Sequence, residues 1–278
     1  MDTSHVVQNF FKVNMLETEP STQDIEENIF EEDLSILVDK LVDLYFQETN
    51  KGKKLRKQFV LDYFISYKVN LQEIYCWIQN NQTCSNSNYL LGYFNYHGIG
   101  IDINMQNAFK YYQKAAELEN VLAQFELASN MYFYGKGVNN NYYKVFELSE
   151  KLSNRKYSCG INLLAYCYEH AFGTNMNGQK AFELYQDAAD LGNVFGIYNL
   201  GRCYRNGIGI SVNIKKALEL YQKAANYGYH VAQQNIALMY EKGFGTEKNI
   251  DQAIHWYKKS AVQGNKYSQS KLKQLLKE

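Results

Sequence analysis

The sequence predicts an all-α protein: an α-solenoid of about five helix-turn-helix repeats, with a helical cap at its N-terminal end and a capping helix at its C-terminal end. Three observations predict it. A tyrosine recurs at Tyr132, Tyr168, Tyr204 and Tyr240 in steps of 36 residues, with Asn95 in its place 37 residues before the first. Nine residues after each of these positions comes an asparagine, Asn104, Asn141, Asn177, Asn213 or Asn249, and four further on Ala108, Val145, Ala181, Ala217 or Ala253. The chain holds 18 glycines and one proline, and many of the glycines fall at the same phase of this period. A spacing this long, with helical spacing inside each copy, is the mark of stacked repeats.

Taken in order, residues 1–24 carry little periodicity and include the sole proline, Pro20. Nine acidic residues stand against Lys12 alone through residue 35, so 1–24 read as a mobile acidic tail. Residues 25–86 read as an N-terminal helical cap. Its first helix carries Leu34, Leu37, Val38, Leu41, Leu44 and Tyr45 along one stripe, its second Leu55, Phe59, Val60, Tyr63 and Phe64, and a third starts at Asn70 with Glu73 three residues on. Such amphipathic helices need a partner surface, and the expected one is the exposed end of the first repeat. The basic run Lys51, Lys53, Lys54, Arg56 and Lys57 reads as a solvated helix start.

Residues 87–264 hold the repeats, at about 87–119, 120–155, 156–192, 193–228 and 229–264. The recurring asparagine is an N-cap, its side-chain oxygen taking an orphan N–H of the first turn for roughly 1 kcal/mol over alanine. From Asn213 the residues Ile214, Ala217, Leu218, Tyr221, Ala224 and Ala225 build one broad face. Gly192, Gly228 and Gly264 fall just past the helix ends, where a left-handed residue closes the last turn. Glu119 and Lys156 hold that place in the first two copies, whose turns are expected to close differently. One extra residue separates Ala116 from Tyr132, which predicts a bulge or extended turn near Ala128 to Met131. Residues 265–278 form the C-terminal capping helix.

Composition narrows the function. The chain has 29 basic and 29 acidic residues, so it carries no general attraction for nucleic acid or anionic membrane. Cys76, Cys84, Cys159, Cys167 and Cys203 follow no common spacing, which points to reduced thiols and a cytoplasmic setting. The histidines are scattered. Asp251 and His255 share one helix face, but a metal site needs three or four converging ligands, so no metal and no cofactor is expected. The repeated Gly-x-Gly motifs follow helices and recur in register, which makes them turns rather than phosphate loops.

The residues Leu200-Gly201, Tyr204, Gly207-x-Gly209, Lys216-Ala217, Tyr221, Lys223-Ala224-Ala225 and Gly228 resemble the Sel-one-like repeat family, relatives of tetratricopeptide repeats, over about 88 to 264. The resemblance implies a right-handed α-superhelix and a non-catalytic adaptor role. Residues 72–82 and 86–100 also resemble the lead-in of fungal members, some of which carry a protein kinase domain. This chain has no kinase motifs, and a regulatory companion of a kinase is one alternative. An enzyme with a site between the N-terminal cap and the first repeats is another.

On each first helix, positions 8, 4, 3 and 0 residues before the recurring tyrosine share the inward side. Positions six and two before it, and one after, lie on the opposite side, which in the family lines a concave groove. These are Tyr89, Tyr93 and Tyr96; Asn162, Tyr166 and Glu169; Tyr198, Arg202 and Arg205; Gln234, Leu238 and Glu241. In the second repeat the insertion disturbs the phase, and Asn130 and Phe133 stand nearest these positions. Tyrosine and arginine are frequent binding hot spots, and two nearby arginines favour an acidic or phosphorylated protein or peptide partner. No small-molecule substrate is expected.

Overall fold

The computed structural model describes residues 31–53 and 57–276. The predicted tail at 1–24 lies outside them, as do Leu55 of the predicted second cap helix and Lys54 and Arg56 of the basic run. Among the described residues the chain forms 14 helices and no strand. Helices α1 (Glu31–Asn50), α2 (Lys57–Ser66) and α3 (Leu71–Asn80) precede the array. The repeats pair α4 (Ser85–His97) with α5 (Met105–Glu117), and α6 (Val121–Glu126), continued by a π-helical turn (Leu127–Tyr132), with α7 (Tyr142–Asn154). Then come α8 (Ser158–His170) with α9 (Gly178–Asp190), α10 (Val194–Asn206) with α11 (Ile214–Asn226), and α12 (His230–Lys242) with α13 (Ile250–Val262). Helix α14 (Lys266–Leu275) closes the stack. The π turn absorbs the extra residue where the spacing predicts it.

Each second helix starts at its asparagine. Asn104, Asn141, Asn177, Asn213 and Asn249 accept the N–H three residues on at 2.9 to 3.1 Å. The buried faces then place Ala108, Ala181, Ala217 and Ala253 beside Tyr112, Tyr185, Tyr221 and Tyr257, all at 0% exposure. Room for these rings comes from the first helix. A Cβ at Gly92 would lie 2.5 Å from the Tyr112 ring, and one at Gly201 would lie 2.9 Å from the Tyr221 ring. The inward side of the first helices is largely buried as the spacing predicts, including Asn95 and Tyr168 at its last position. Tyr132, Tyr204 and Tyr240 are half-buried rather than core; Tyr204 leans edge-on against Phe182 of the preceding repeat.

The turns at Glu119 and Lys156 correct the sequence reading. Both adopt positive φ, 61° and 60°, and close the preceding helix with the bond pattern used at Gly192. The turn is imposed by its neighbours, so these non-glycine residues accept left-handed strain. Leu44, placed on the α1 stripe, is exposed instead.

The N-terminal helices are more than an end cap. Leu34, Leu37, Leu41 and Tyr45 of α1 share a core with Phe64, Ile74, Tyr89, Phe94 and Tyr112. Beyond that end α1 continues across the first helices of the array. Asn86 Nδ2 donates to Asp39 at 2.8 Å, and Phe46 meets Tyr157 edge-on at 5.2 Å. The far end of α1 is clasped by repeats 3 and 4. Ser158 Oγ and Asn193 Nδ2 both donate to the Asn50 carbonyl, and the Val194 N–H donates to the Lys51 carbonyl at 2.9 Å. Gly52 turns the chain there at φ 75°, with so little space that a Cβ would come within 2.8 Å of Asn193 Oδ1 and the Val194 nitrogen. Lys57, in the basic run, is structural: its Nζ donates to the carbonyls of His97 (3.1 Å) and Gly98 (2.6 Å).

Candidate partner-binding face

The face formed by α4, α6, α8, α10 and α12 divides into three stretches. In the first, the predicted groove residues Tyr89 and Tyr93 are each 1% exposed. They do not face solvent because Tyr45 of α1 covers them, its ring 6.1 Å and 5.3 Å from theirs. Burial pushes the Tyr45 hydroxyl far above its ordinary value and Tyr93 up to about 12. Tyr96 stays half-buried, with Lys136 donating to its hydroxyl and lying over its ring.

The second stretch is a cavity of about 290 Å³ between α1 and the middle of the face. Tyr45, Tyr96, His97, Glu126, Asn130, Cys159 and Asn162 are among its walls, and the π turn brings Asn130 to donate to Glu126 at 2.6 Å. This is where an enzyme site beside the N-terminal cap would lie. Burial pushes the Cys159 thiol up to about 12, so it is protonated at neutral pH and is not an activated nucleophile. Phe133 does not line this cavity. It joins Tyr142, Tyr166 and Phe172 in an aromatic cluster, where Phe172 stacks on Tyr142 at 4.5 Å.

The third stretch runs over α10 and α12, from the end of α1 at Val194 to the start of α14, where Asn265 donates to Gln234 at 2.8 Å. Tyr198 is half-buried, packed against Tyr221 and Tyr229. Gln234 and Leu238 are half-buried and Arg205 is exposed. Arg202 is not available as a second groove arginine. Its Nη2 pairs with Glu169 Oε1 at 2.8 Å, and Glu169, whose side chain is 7% exposed, also accepts from Tyr185 Oη at 2.7 Å. Burial opposes the Arg202 charge, but Glu169 outweighs it and the guanidinium pKa is raised. Glu241 repeats this arrangement two repeats later. It accepts from Tyr257 Oη at 2.7 Å and pairs with Lys271 (2.9 Å) and Lys242 (3.2 Å). Burial would raise the Glu241 carboxyl, yet the hydrogen bonds from Lys271, Tyr257 and Lys242 hold it below the usual carboxylate value. Glu169 and Glu241 are therefore internal struts rather than groove lining. The sequence carried a signal for them: an acid directly after the recurring tyrosine and a second-helix tyrosine 16 residues later.

The comparisons with known proteins agree with this architecture. The Sel1 repeat model matches residues 85–120, 121–156, 160–193, 194–229 and 230–265, more than half of the chain. The chain belongs to the Sel1 repeat family. Among solved structures, it is similar to a Sel1 repeat protein from Oxalobacter formigenes, with 26% identity over 75% of this chain and 83% of the other, at a TM-score of 0.66. It is also similar to c5321, a protective antigen of uropathogenic Escherichia coli with an SLR fold, with 26% identity over 88% of this chain and 56% of the other, at a TM-score of 0.59. No curated protein matches. The right-handed superhelix of the family is thus the fold here, and Sel1 repeats generally act as scaffolds for protein interaction. Among the described residues no helix is long and apolar enough to cross a membrane, and no three His, Cys, Asp or Glu side chains are placed to hold a metal ion.

Proposed function

We propose that this Sel1 repeat protein is a non-catalytic adaptor that holds a protein or peptide partner on the third stretch of its first-helix face. One observation carries the reading. Positions that grip α1 in the first repeat, Tyr89 and Tyr93, have as their counterparts Tyr198 and the Glu169-bound Arg202 in repeat 4 and Gln234 and Leu238 in repeat 5, of which Tyr198, Gln234 and Leu238 are half-buried and Gln234 is bonded to Asn265 at the start of α14. The first-helix face thus already holds one helix of its own chain at one end and offers the equivalent surface at the other. Arg205 makes that surface suited to an acidic or phosphorylated segment. The balanced charge favours a protein partner over nucleic acid or membrane. Five free cysteines, three of them buried, fit a reducing, cytoplasmic setting.

The test is affinity capture from source cells by the full chain and by a Gln234→Arg/Leu238→Arg variant, with mass spectrometry. Gln234 also accepts from Asn265 at the start of α14, so a loss counts only where the variant keeps the wild-type circular dichroism and melting temperature. Loss of one bound protein with the fold intact supports the reading; an unchanged set of bound proteins overturns it. A role beside a protein kinase rests on the resemblance at residues 72–82 and would require a kinase in that set.

A further inference from the structure

The array carries two apolar cores, with α7 between them. The first joins α1, α2 and α3 to repeats 1 and 2 and runs to Met131; the second starts at Leu164 of α8. On α7, Ser149 stands where Tyr112, Tyr185, Tyr221 and Tyr257 fill the other repeats, and its Oγ lies 3.8 Å from Cys167 Sγ of α8. Helix α7 thus lacks the buried ring that anchors the other second helices.

Among the described residues, α1 is the element that reaches across this junction on the first-helix face. Its apolar residues, among them Leu34, Leu41 and Tyr45, belong to the first core, and none of α1 is in the second. Repeats 3 and 4 hold its end by polar contacts instead. Ser158 Oγ reaches the Asn50 carbonyl and, at 3.1 Å, Asn50 Oδ1, to which the Cys159 N–H also donates at 3.3 Å. Asn193 Nδ2 donates to the Asn50 carbonyl at 2.9 Å, and the Val194 N–H to the Lys51 carbonyl at 2.9 Å. Beside this clasp the space under α1 is open: Thr49, Lys53, Asn193 and Phe195 are among the walls of the cavity of about 290 Å³. The helix is therefore fixed to one block by apolar burial and to the other by hydrogen bonds, which exchange for bonds to water at little net cost.

We propose that α1 is a strap: its clasp on repeats 3 and 4 sets the angle between the two blocks, and opening the clasp lets them hinge at α7 without unfolding either core. The clasped form fixes the curvature of the first-helix face, and the open form widens that face over the cavity. Two residues make the clasp testable. Gly52 turns at φ 75° against repeat 4, where a Cβ would come within 2.8 Å of Asn193 Oδ1 and the Val194 nitrogen. Val194 is the first residue of α10, a place where an N–H has no partner within its own helix. The end of α1 supplies that partner, so exchange of this amide reports the clasp directly.

The test is amide hydrogen exchange on the full chain, read by NMR, together with the distance between spin-labelled non-natural residues at Lys110 in repeat 1 and Lys215 in repeat 4, both exposed. In wild type the Cys159 and Val194 amides should exchange at least about tenfold faster than those of Tyr112 and Tyr221, which open only with their cores. Gly52→Ala should speed the first pair at least about tenfold more and lengthen the label distance, with the core amides and the helical circular dichroism unchanged. Asn50→Ala removes one acceptor without adding bulk and should act in the same direction to a lesser degree. Exchange of Val194 at the rate of the core amides in wild type, or a label distance that stays fixed while the clasp amides open, would overturn the proposal. Equal acceleration of all four amides in both variants would overturn it too, because α1 would then belong to one cooperative core.

Discussion

The two ends of the array are built from one unit and use its outer face in opposite ways. At the N-terminal end the tyrosines at the face positions, Tyr89 and Tyr93, are core residues under α1. At the C-terminal end Tyr198, Gln234 and Leu238 at the same positions are half-exposed. The cores differ too. One cluster joins the cap helices to repeats 1 and 2, and a second runs through repeats 3 to 5. The break falls at α7, whose Ser149 stands where Tyr112, Tyr185, Tyr221 and Tyr257 fill the other repeats. A position in a repeat thus has no fixed role; what lies over it decides whether it packs or binds.

Truncating equivalent contacts at the two ends gives the largest expected contrast. Tyr45 is 6% exposed and holds both buried tyrosines, so Tyr45→Ala should cost about 3–5 kcal/mol in urea unfolding. Tyr198→Ala, at a half-exposed ring, should cost about 1–2 kcal/mol. Equal losses would mean that α1 rests on the array without stabilising it.

Most of the array was legible because stacking repeats demand the same cap, small residue and turn at fixed intervals. Asn213 announces a helix start by its chemistry, and the extra residue before Tyr132 announces the π turn by its count. The path of α1 was not legible. Its stripe of Leu34, Leu37 and Leu41 requires a partner surface, but nothing in it says whether that surface is the end of the stack or its inner face. The clasp at Asn50 depends on Ser158 and Asn193, more than 100 residues away in sequence. Arg202 misled for a related reason: its partner Glu169 is one repeat back and on a different helix.

Removing a single hydroxyl sharpens the comparison further. Tyr185 Oη donates to a buried carboxylate, so Tyr185→Phe should cost about 1.5–3 kcal/mol. Tyr112→Phe removes a hydroxyl that has no partner among the described residues and should change stability by less than about 0.5 kcal/mol. A similar cost at both positions would show that the hydroxyl of Tyr112 is satisfied by solvent and that the two ends are alike in this respect.

Acid should loosen the C-terminal end through Glu241. The folded carboxyl lies below its ordinary value, held by Lys271, Tyr257 and Lys242 against burial. Its contribution is therefore complete above the unfolded carboxyl value of about 4.3 and is lost as the pH falls through the lower folded value. Lys271 belongs to α14, so protonating Glu241 removes one of the contacts that hold the capping helix, beside the packing of Leu272 and Leu275. Wild type should lose more stability than Glu241→Gln between pH 6 and pH 3; parallel losses would place the acid-sensitive groups elsewhere.

A small effect of either sign is expected at the turn between α8 and α9, at the start of the second core. Ala171 caps α8 at φ 58°, the place held by Gly207 and Gly243 in the next two repeats, and the Phe172 N–H still reaches the Cys167 carbonyl at 3.0 Å. A left-handed alanine costs about 1 kcal/mol relative to glycine, partly offset by the greater freedom glycine gives the unfolded chain. Ala171→Gly should therefore raise stability by up to about 1 kcal/mol, and Gly207→Ala should lower it by a similar amount. A thermal melt of each decides the matter. If Ala171→Gly instead destabilised the chain, the stiffness of this turn would be holding Phe172 on Tyr142, and repeats 2 and 3 would be joined by that aromatic contact rather than by a continuous core.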